Sequence, residues 1–240
     1  MTTICAEGLG HRELNEAIRG ACGPCSVESC RGQRFIAAGM SDVDLTVRGV
    51  PGNALGAYLN GASVTVESNA QDAVGDTMNA GKIIIHGNIG DAAGYAMRGG
   101  KIYVRGSAGY RAGIHMKAYE DKVPLMVVGG RAGSFLGEYQ AGGVIVVLNL
   151  DEPEKECVGL FPCTGMHGGI MYLRSDCSGV TFPEQVTAVP ASEEDMRRLG
   201  SYIEEYCGIF GLDRERVLSA PFTVVTPDSN NPYRRMYVAN

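Results

Sequence analysis

The side chains best spaced for chemistry are cysteines. Cys22-Gly-Pro-Cys25-Ser-Val-Glu-Ser-Cys30 places two thiols in a Cys-x-x-Cys and a third beyond, with Cys5 upstream and Cys157, Cys163 and Cys177 downstream. Two thiolates at that spacing suit one zinc ion or one iron–sulfur cluster, and the third thiol is compatible with either, so Cys22, Cys25 and Cys30 are the candidate metal ligands. The same spacing suits a redox dithiol in which one low-pKa thiolate attacks a disulfide, although the helix start and βαβ setting of such motifs are missing. The third reading is that these are small apolar fillers in a glycine-rich leader. The remaining residue types form no catalytic set. His11, His86, His115 and His167 are scattered, with no His-x-x-x-His and no triad; His115 beside Lys117 and His167 among glycines stand out most, while His86 reads as a solvent-facing residue. Cys5 as an N-terminal nucleophile fails because four residues precede it. No glycine cluster runs into Gly-Lys-Ser/Thr, so none is a phosphate loop.

Those residues have to be held by something, and the chain declares it through a repeat. Gly-x-x-Gly-x-x-x-Gly recurs as Gly49/Gly52/Gly56, Gly87/Gly90/Gly94, Gly106/Gly109/Gly113 and Gly130/Gly133/Gly137, with Ser68/Gln71/Gly75 as a degenerate copy; the first four starts are 19 residues apart, and the step to Gly130 carries a five-residue insertion around Glu120–Pro124. Each copy follows a short alternating run: 43–48, 62–67, 81–86, 100–105 and 124–129. Within these runs Leu45, Val64, Ile83, Ile102 and Met126 align, as do Val47, Val66, Ile85, Val104 and Val128. Between the two columns stand Thr46, Thr65, Ile84, Tyr103 and Val127. This is the period of a strand with one buried face. A further apolar column, Leu55, Val74, Ala93, Ala112 and Leu136, follows the turn, with Leu59, Met78, Met97 and Met116 beyond it.

A unit of 19 residues cannot bury a core alone, so successive units stack, and the expected fold is all-β: a single-stranded, right-handed parallel β-helix of about seven rungs. The sixth and seventh rungs are expected at 143–148 and 169–174, after an irregular excursion through 151–162. Glycine suits the corners because it takes φ > 0 without penalty. The expected organisation is a capping segment over 1–42 with the cysteine cluster, the β-helix over 43–180, and a C-terminal helix and tail over 181–240. Residues 12–19 read as a short helix. Ser192 with Asp195 reads as a capping box opening a helix whose stripe of Met196, Leu199, Tyr202, Ile203 and Tyr206 ends at Gly208. Both helices are expected to cap the open ends of the stack. A strand is expected at 222–225 and a turn at Pro227–Pro232.

With 240 residues, 34 glycines, no Trp and a net charge of −6, the chain has length for one sizeable core but no basic stripe for nucleic acid or an anionic membrane. Its apolar runs are strand-sized, and the start carries no basic-then-apolar leader, so a cytoplasmic protein with reduced cysteines is expected.

The run Gly87-Asn-Ile-Gly-Asp-Ala-Ala-Gly-Tyr-Ala-Met-Arg-Gly-Gly-Lys-Ile-Tyr-Val-Arg105, then His115, Lys117 and Gly133-Ser-Phe-Leu-Gly-Glu-Tyr-Gln-Ala-Gly-Gly143, resembles the C-terminal GXGXG domain of the glutamate synthase large subunit, above all its stand-alone form. The resemblance covers about residues 32–175 and begins at Gly32-Gln-Arg-Phe-Ile-Ala-Ala-Gly39. Similar domains occur in the C subunit of formylmethanofuran dehydrogenase and in a subunit of N-methylglutamate synthase; the stretch 32–39 favours the glutamate synthase group. The resemblance implies a structural subunit without catalytic residues or cofactor of its own. Its partners would be an FMN-containing synthase subunit, which also holds an iron–sulfur cluster, and a glutamine amidotransferase subunit; self-association as a homo-oligomer stays open. The period-breaking insertion after Met116 makes 106–122, with Lys117, Glu120, Asp121 and Lys122, the expected contact region.

Overall fold

Alternating apolar residues bury one face of a strand only if equivalent residues of the next strand fall beside them, and the repeat guarantees that they do. In the computed structural model, which describes residues 1–230, nine strands run parallel in sequence order. They are β1 (Thr2–Cys5), β2 (Cys25–Arg31), β3 (Asp44–Val50), β4 (Asn60–Val66), β5 (Ala80–Ile85), β6 (Lys101–Val104), β7 (Leu125–Val128), β8 (Ala141–Val147) and β9 (Gly168–Leu173). Two more, β10 (Val186–Pro190) and β11 (Thr223–Pro227), extend the sheet antiparallel, β11 against β9 and β10 against β11. The fold is a parallel β-solenoid of about eight turns.

The register aligns Cys25, Leu45, Val64, Ile83, Ile102, Met126, Ile145 and Met171 in one inward column, and Val27, Val47, Val66, Ile85, Val104, Val128, Val147 and Leu173 in the next. All are buried. So are Leu55, Val74, Ala93, Ala112 and Leu136 on the other side of the coil, together with Leu59, Met78, Met97 and Met116. The expected columns are therefore the core, and rungs stand at both 143–148 and 169–174. A second arm of each coil is tied by single parallel bridges through Ala70, Ile89, Ala108, Ala132 and Val158.

Three expectations need correction. The stack does not begin at residue 43: β2 pairs with β3 in parallel, and Cys25 and Val27 already occupy the inward columns, so part of the 1–42 segment is a coil in its own right. Helix α1 (His11–Gly20) does close the inner core at that end, where Leu14 and Ile18 join Val27 and Ile36 and the Asn15 side chain bridges to Phe35 and Ala37 backbone. Helix α2 (Glu193–Phe210), by contrast, is no end cap. It lies along the side of the sheet, over the outward column Ile84, Tyr103, Val127, Val146 and Tyr172, forming a second core with Leu199, Ile203 and Tyr206. Its capping box is as expected, Ser192 Oγ accepting from Asp195 N at 3.2 Å, but it runs through Gly208 and ends at Gly211, whose φ of 64° makes the left-handed stop. A short helix, α3 (Arg214–Leu218), leads into β11. The turn expected at Pro227–Pro232 lies partly outside the described residues.

Candidate functional site

The third side of each coil is a turn in which every second residue is left-handed. The residues with φ near +60° are 35/37/39, 54/56/58, 73/75/77, 92/94/96, 111/113/115, 135/137/139 and 161/163/165. The N–H groups of the left-handed residues go by turns to the two neighbouring coils: Gly56 N donates back to Ile36 O at 2.8 Å, while Ala54 N and Tyr58 N donate forward to Asp72 O at 2.9 Å and Asp76 O at 2.7 Å. A left-handed non-glycine residue costs about 1–2 kcal/mol. The ladder of hydrogen bonds on both sides imposes it here.

This geometry throws the first and third residue of each turn outward, and their character changes along the stack. The first position is Phe35 in the coil under α1, where His11 meets it at 5.9 Å, then Ala54, Ala73 and Ala92, then Arg111, Phe135 and Phe161. In the later coils Tyr110, Phe135 and Phe161 form a ladder with ring centroids 5.2 Å apart at each step. Arg111 lies over the Tyr110 and Phe135 rings at 4.9 and 5.5 Å and is ion-paired at 2.8 Å with Glu138, which is nearly buried. Beside it His115 stacks on Tyr139 at 5.3 Å and meets Tyr95 edge-on. Leu160 and Phe161 are 68% and 59% exposed at the ladder's end, so a contiguous aromatic surface with an anchored cation faces solvent. Sequence reasoning reached Gly106–Lys122 but missed Phe135, Tyr139 and Phe161. The available signal was the switch from Ala to Arg and Phe two residues after the second motif glycine.

The insertion after Met116 stands out as a tight turn in which Tyr119 and Lys122 exchange backbone hydrogen bonds of 3.1 and 3.0 Å, with Tyr119 and Val123 exposed. Next to it a groove of about 690 Å³ is lined by Lys117, Val123, His167, Tyr202 and the backbones of Gly142 and Gly168. His167 Nδ1 is 3.0 Å from Gly165 O. His86 is exposed, as expected, with Phe210 edge-on at 5.3 Å.

The structure does not gather Cys22, Cys25 and Cys30. Cys22 is exposed ahead of β2, whereas Cys25 and Cys30 are buried within it, and burial pushes both of their thiols up, Asp44 adding to the effect at Cys25. Among the described residues no group of three or more His, Cys, Asp or Glu side chains converges where a metal ion could sit. Cys157, Cys163 and Cys177 are buried as well, and all three belong to the inner core.

A family model described as the GXGXG motif matches residues 15–228, which begins inside α1 and takes in β2 to β11 and α2. The chain belongs to the GXGXG family, that of the glutamate synthase β-helix domain. This GXGXG chain is also 42% identical over 248 aligned residues to the uncharacterized protein MJ1350 of Methanocaldococcus jannaschii, covering 98% of this chain and 95% of the relative. Among the described residues no helix of the GXGXG chain is long and apolar enough to cross a membrane.

Proposed function

We propose that this chain is the non-catalytic scaffold subunit of a glutamate-synthase-like complex, in which separate subunits hydrolyse glutamine and, with FMN and an iron–sulfur cluster, aminate 2-oxoglutarate. Its membership of the glutamate synthase β-helix family supports the reading. The observation that carries it is the aromatic ladder of Tyr110, Phe135 and Phe161: a solenoid exposes long flat sides, and on the turn side of the late coils this one sets three contacting rings beside the exposed Leu160. Aromatic residues flanking an Arg are the composition of interface hot spots. The insertion turn at Tyr119–Lys122 and the adjoining groove add a second contact region to the same half of the stack.

The test is affinity capture from the native host with this chain as bait. Recovery of an FMN-containing synthase subunit and a glutamine amidotransferase subunit, with neither glutaminase activity nor 2-oxoglutarate amination in the chain alone, is the expected result. Capture of formylmethanofuran dehydrogenase or N-methylglutamate synthase subunits would transfer the scaffold role to those complexes, and turnover of glutamine by the isolated chain would overturn it.

A further inference from the structure

Past its left-handed turn each coil re-enters the sheet through one column of residues: Asn60, Asn79, Arg98, Lys117, Ala141 and His167. Their N–H groups donate in register to the coil before, Arg98 N to Met78 O at 2.8 Å, Lys117 N to Met97 O at 2.9 Å and His167 N to Gln140 O at 2.9 Å among them. The column is amide in the early coils and mostly basic in the late ones. Arg98 and Lys117 are exposed, and so is Lys122 on the insertion turn, whose Cβ lies 3.2 Å from where a Cβ on Gly99, the neighbour of Arg98, would stand. Among the described residues none of these three cations forms an ion pair. The groove of about 690 Å³ opens at Lys117, and its lining also holds His167 and Tyr202 but no Asp or Glu. Glu120 and Asp121 stand at the tip of the insertion turn, outside that lining.

A backbone donor stands in the same wall. One residue past the column, Ala80 N, Gly99 N and Gly168 N donate to Leu59 O, Met78 O and Gln140 O at 3.2, 3.2 and 3.1 Å. Ala118 N holds the same place in the coil with the insertion, and among the described residues it has no acceptor. The following coil shows the reason. A Cβ on Gly99 or Gly168 would point at a carbonyl oxygen, Asn79 O at 2.4 Å and Ala141 O at 2.3 Å, whereas a Cβ on Gly142 would meet Ala118 N at 2.4 Å. The insertion has turned the Lys117–Ala118 peptide over, so that its nitrogen and not its carbonyl faces Gly142, and both Ala118 and Gly142 line the groove. A backbone N–H without a partner is costly away from water, and a carboxylate oxygen is among the strongest acceptors it can find.

We propose that this groove seats a carboxylate side chain from an extended acidic segment of a partner polypeptide, with the Lys117 ammonium and the Ala118 N–H as its donors. Val123, Val144 and Ile170 form the apolar part of the wall, for the residues on either side of the acid. The charge of the lining selects the acid, because a basic segment would meet unpaired cations and no counter-ion. Exposure selects a chain segment over a small molecule: Lys117 and Val123 are exposed, so the groove lies open along the insertion turn, whereas small-molecule sites bury most of their ligand. Which polypeptide supplies the segment rests on the scaffold reading above; that the groove takes a carboxylate does not.

The test uses the full chain alone. A fluorescein-labelled peptide of sequence Leu-Glu-Leu-Glu-Leu and its counterpart with Gln for Glu are titrated with the chain at low salt and followed by fluorescence anisotropy. The Glu peptide should bind about tenfold tighter than the Gln peptide, and Lys117→Ala should remove most of that preference. Gly142→Ala, whose methyl group would cover Ala118 N, should weaken the Glu peptide with the Lys117 side chain intact; if that variant loses its β spectrum, Lys117→Ala and the two peptides decide. Arg12→Ala, on α1 at the other end of the stack, should change nothing. Equal binding of the two peptides, absence of binding, or an equal loss with Arg12→Ala would overturn the proposal. So would free glutarate binding more tightly than the peptide, which would make a small acid the occupant, or displacement of the Glu peptide by a synthetic peptide of residues 231–240, which would make it the chain's own C-terminal segment. Failure to capture any synthase subunit, with the Glu preference intact, would instead remove the scaffold reading and leave the carboxylate site standing.

Discussion

Gly113 carries φ 70°, and a Cβ there would overlap Ile145 Cδ1 in the inward column. Its counterparts Gly56, Gly75, Gly94 and Gly137 meet Ile83, Ile102, Met126 and Met171 in the same way, so the third motif glycine is both a handedness and a space requirement. Gly39 has the first requirement without the second: φ is 67° and nothing lies within 4 Å of an added Cβ. Gly39→Ala should therefore cost about 1 kcal/mol from φ alone, and Gly113→Ala about 2 kcal/mol or more because Ile145 must also move, compared by urea denaturation. Equal losses would remove the space argument. The first two motif glycines have another cause. Asn69 Oδ1 accepts from Asn88 N and Asn88 Oδ1 from Ser107 N, both at 2.8 Å, while Asp72 Oδ1 accepts from Asp91 N at 3.0 Å and Asp91 Oδ1 from Tyr110 N at 2.8 Å. A Cβ at Gly87, Gly90, Gly106 or Gly109 would fall on these side-chain oxygens. The glycines were legible in the sequence as corners; this side-chain ladder, whose members also recur with the repeat, was not, because polar residues in a turn ordinarily read as solvated. Ile102→Asp puts an unpaired charge among buried side chains and should cost several kcal/mol, and Thr65→Asp, at an outward and half-buried position that α2 does not cover, far less by the same measurement.

Helix α2 is docked by a polar contact as well as by its apolar stripe. Glu205 receives Lys82 Nζ at 2.5 Å, Lys101 Nζ at 2.6 Å and the Tyr103 hydroxyl at 3.0 Å, and Tyr206 OH donates to Val104 O at 3.1 Å in the space that Gly129 leaves open. Burial alone would raise the Glu205 carboxyl; the bonds from Lys101, Lys82 and Tyr103 outweigh it and hold it at about 2. A depressed carboxyl stabilises the fold fully above its unfolded value, about 4.3, and loses that contribution as pH falls toward the folded value. Glu205→Gln should therefore lower stability at neutral pH by about 1 kcal/mol, a figure reduced for solvent screening, and the gap to wild type should close between about pH 5 and pH 2 in thermal melts. A gap that widens on acidification would contradict the contact. That α2 would form was legible from Ser192, Asp195 and the stripe. Where it would lie was not, because an amphipathic stripe reads alike at the end of a stack and on its side. The deciding signal was in the strands: the outward column changes from Thr46 and Thr65 to Ile84, Tyr103 and Val127 at the point where the helix covers it. The helix end was misplaced for a related reason, since Gly208 is tolerated within the helix and only Gly211 turns left-handed.

At the scale of the whole molecule the solenoid has three kinds of surface: a side sealed by α2, ends closed by α1 and by the segment after β9, and the left-handed turns, whose late coils stay open. The stack itself was legible because identical spacing forces identical register. The site was not, since its members come from three successive turns that only the stacking brings together, with an excursion at 151–162 between the last two. That arrangement sets the last expectation. Tyr110, Phe135 and Phe161 touch one another but contribute little to either core, so Phe135→Ser with Phe161→Ser should leave the far-ultraviolet spectrum and the melting temperature nearly unchanged. If these rings are what an FMN-containing synthase subunit rests on, the double variant should weaken its capture at least tenfold, the loss expected when hot-spot aromatics worth about 1.4 kcal/mol or more are removed. Substituting Tyr58, equally exposed but on an early coil whose first turn position is Ala54, should have no such effect. Equal weakening by both would spread the interface over the whole turn side, and unchanged capture by the double variant would move it to the insertion turn at Tyr119–Lys122.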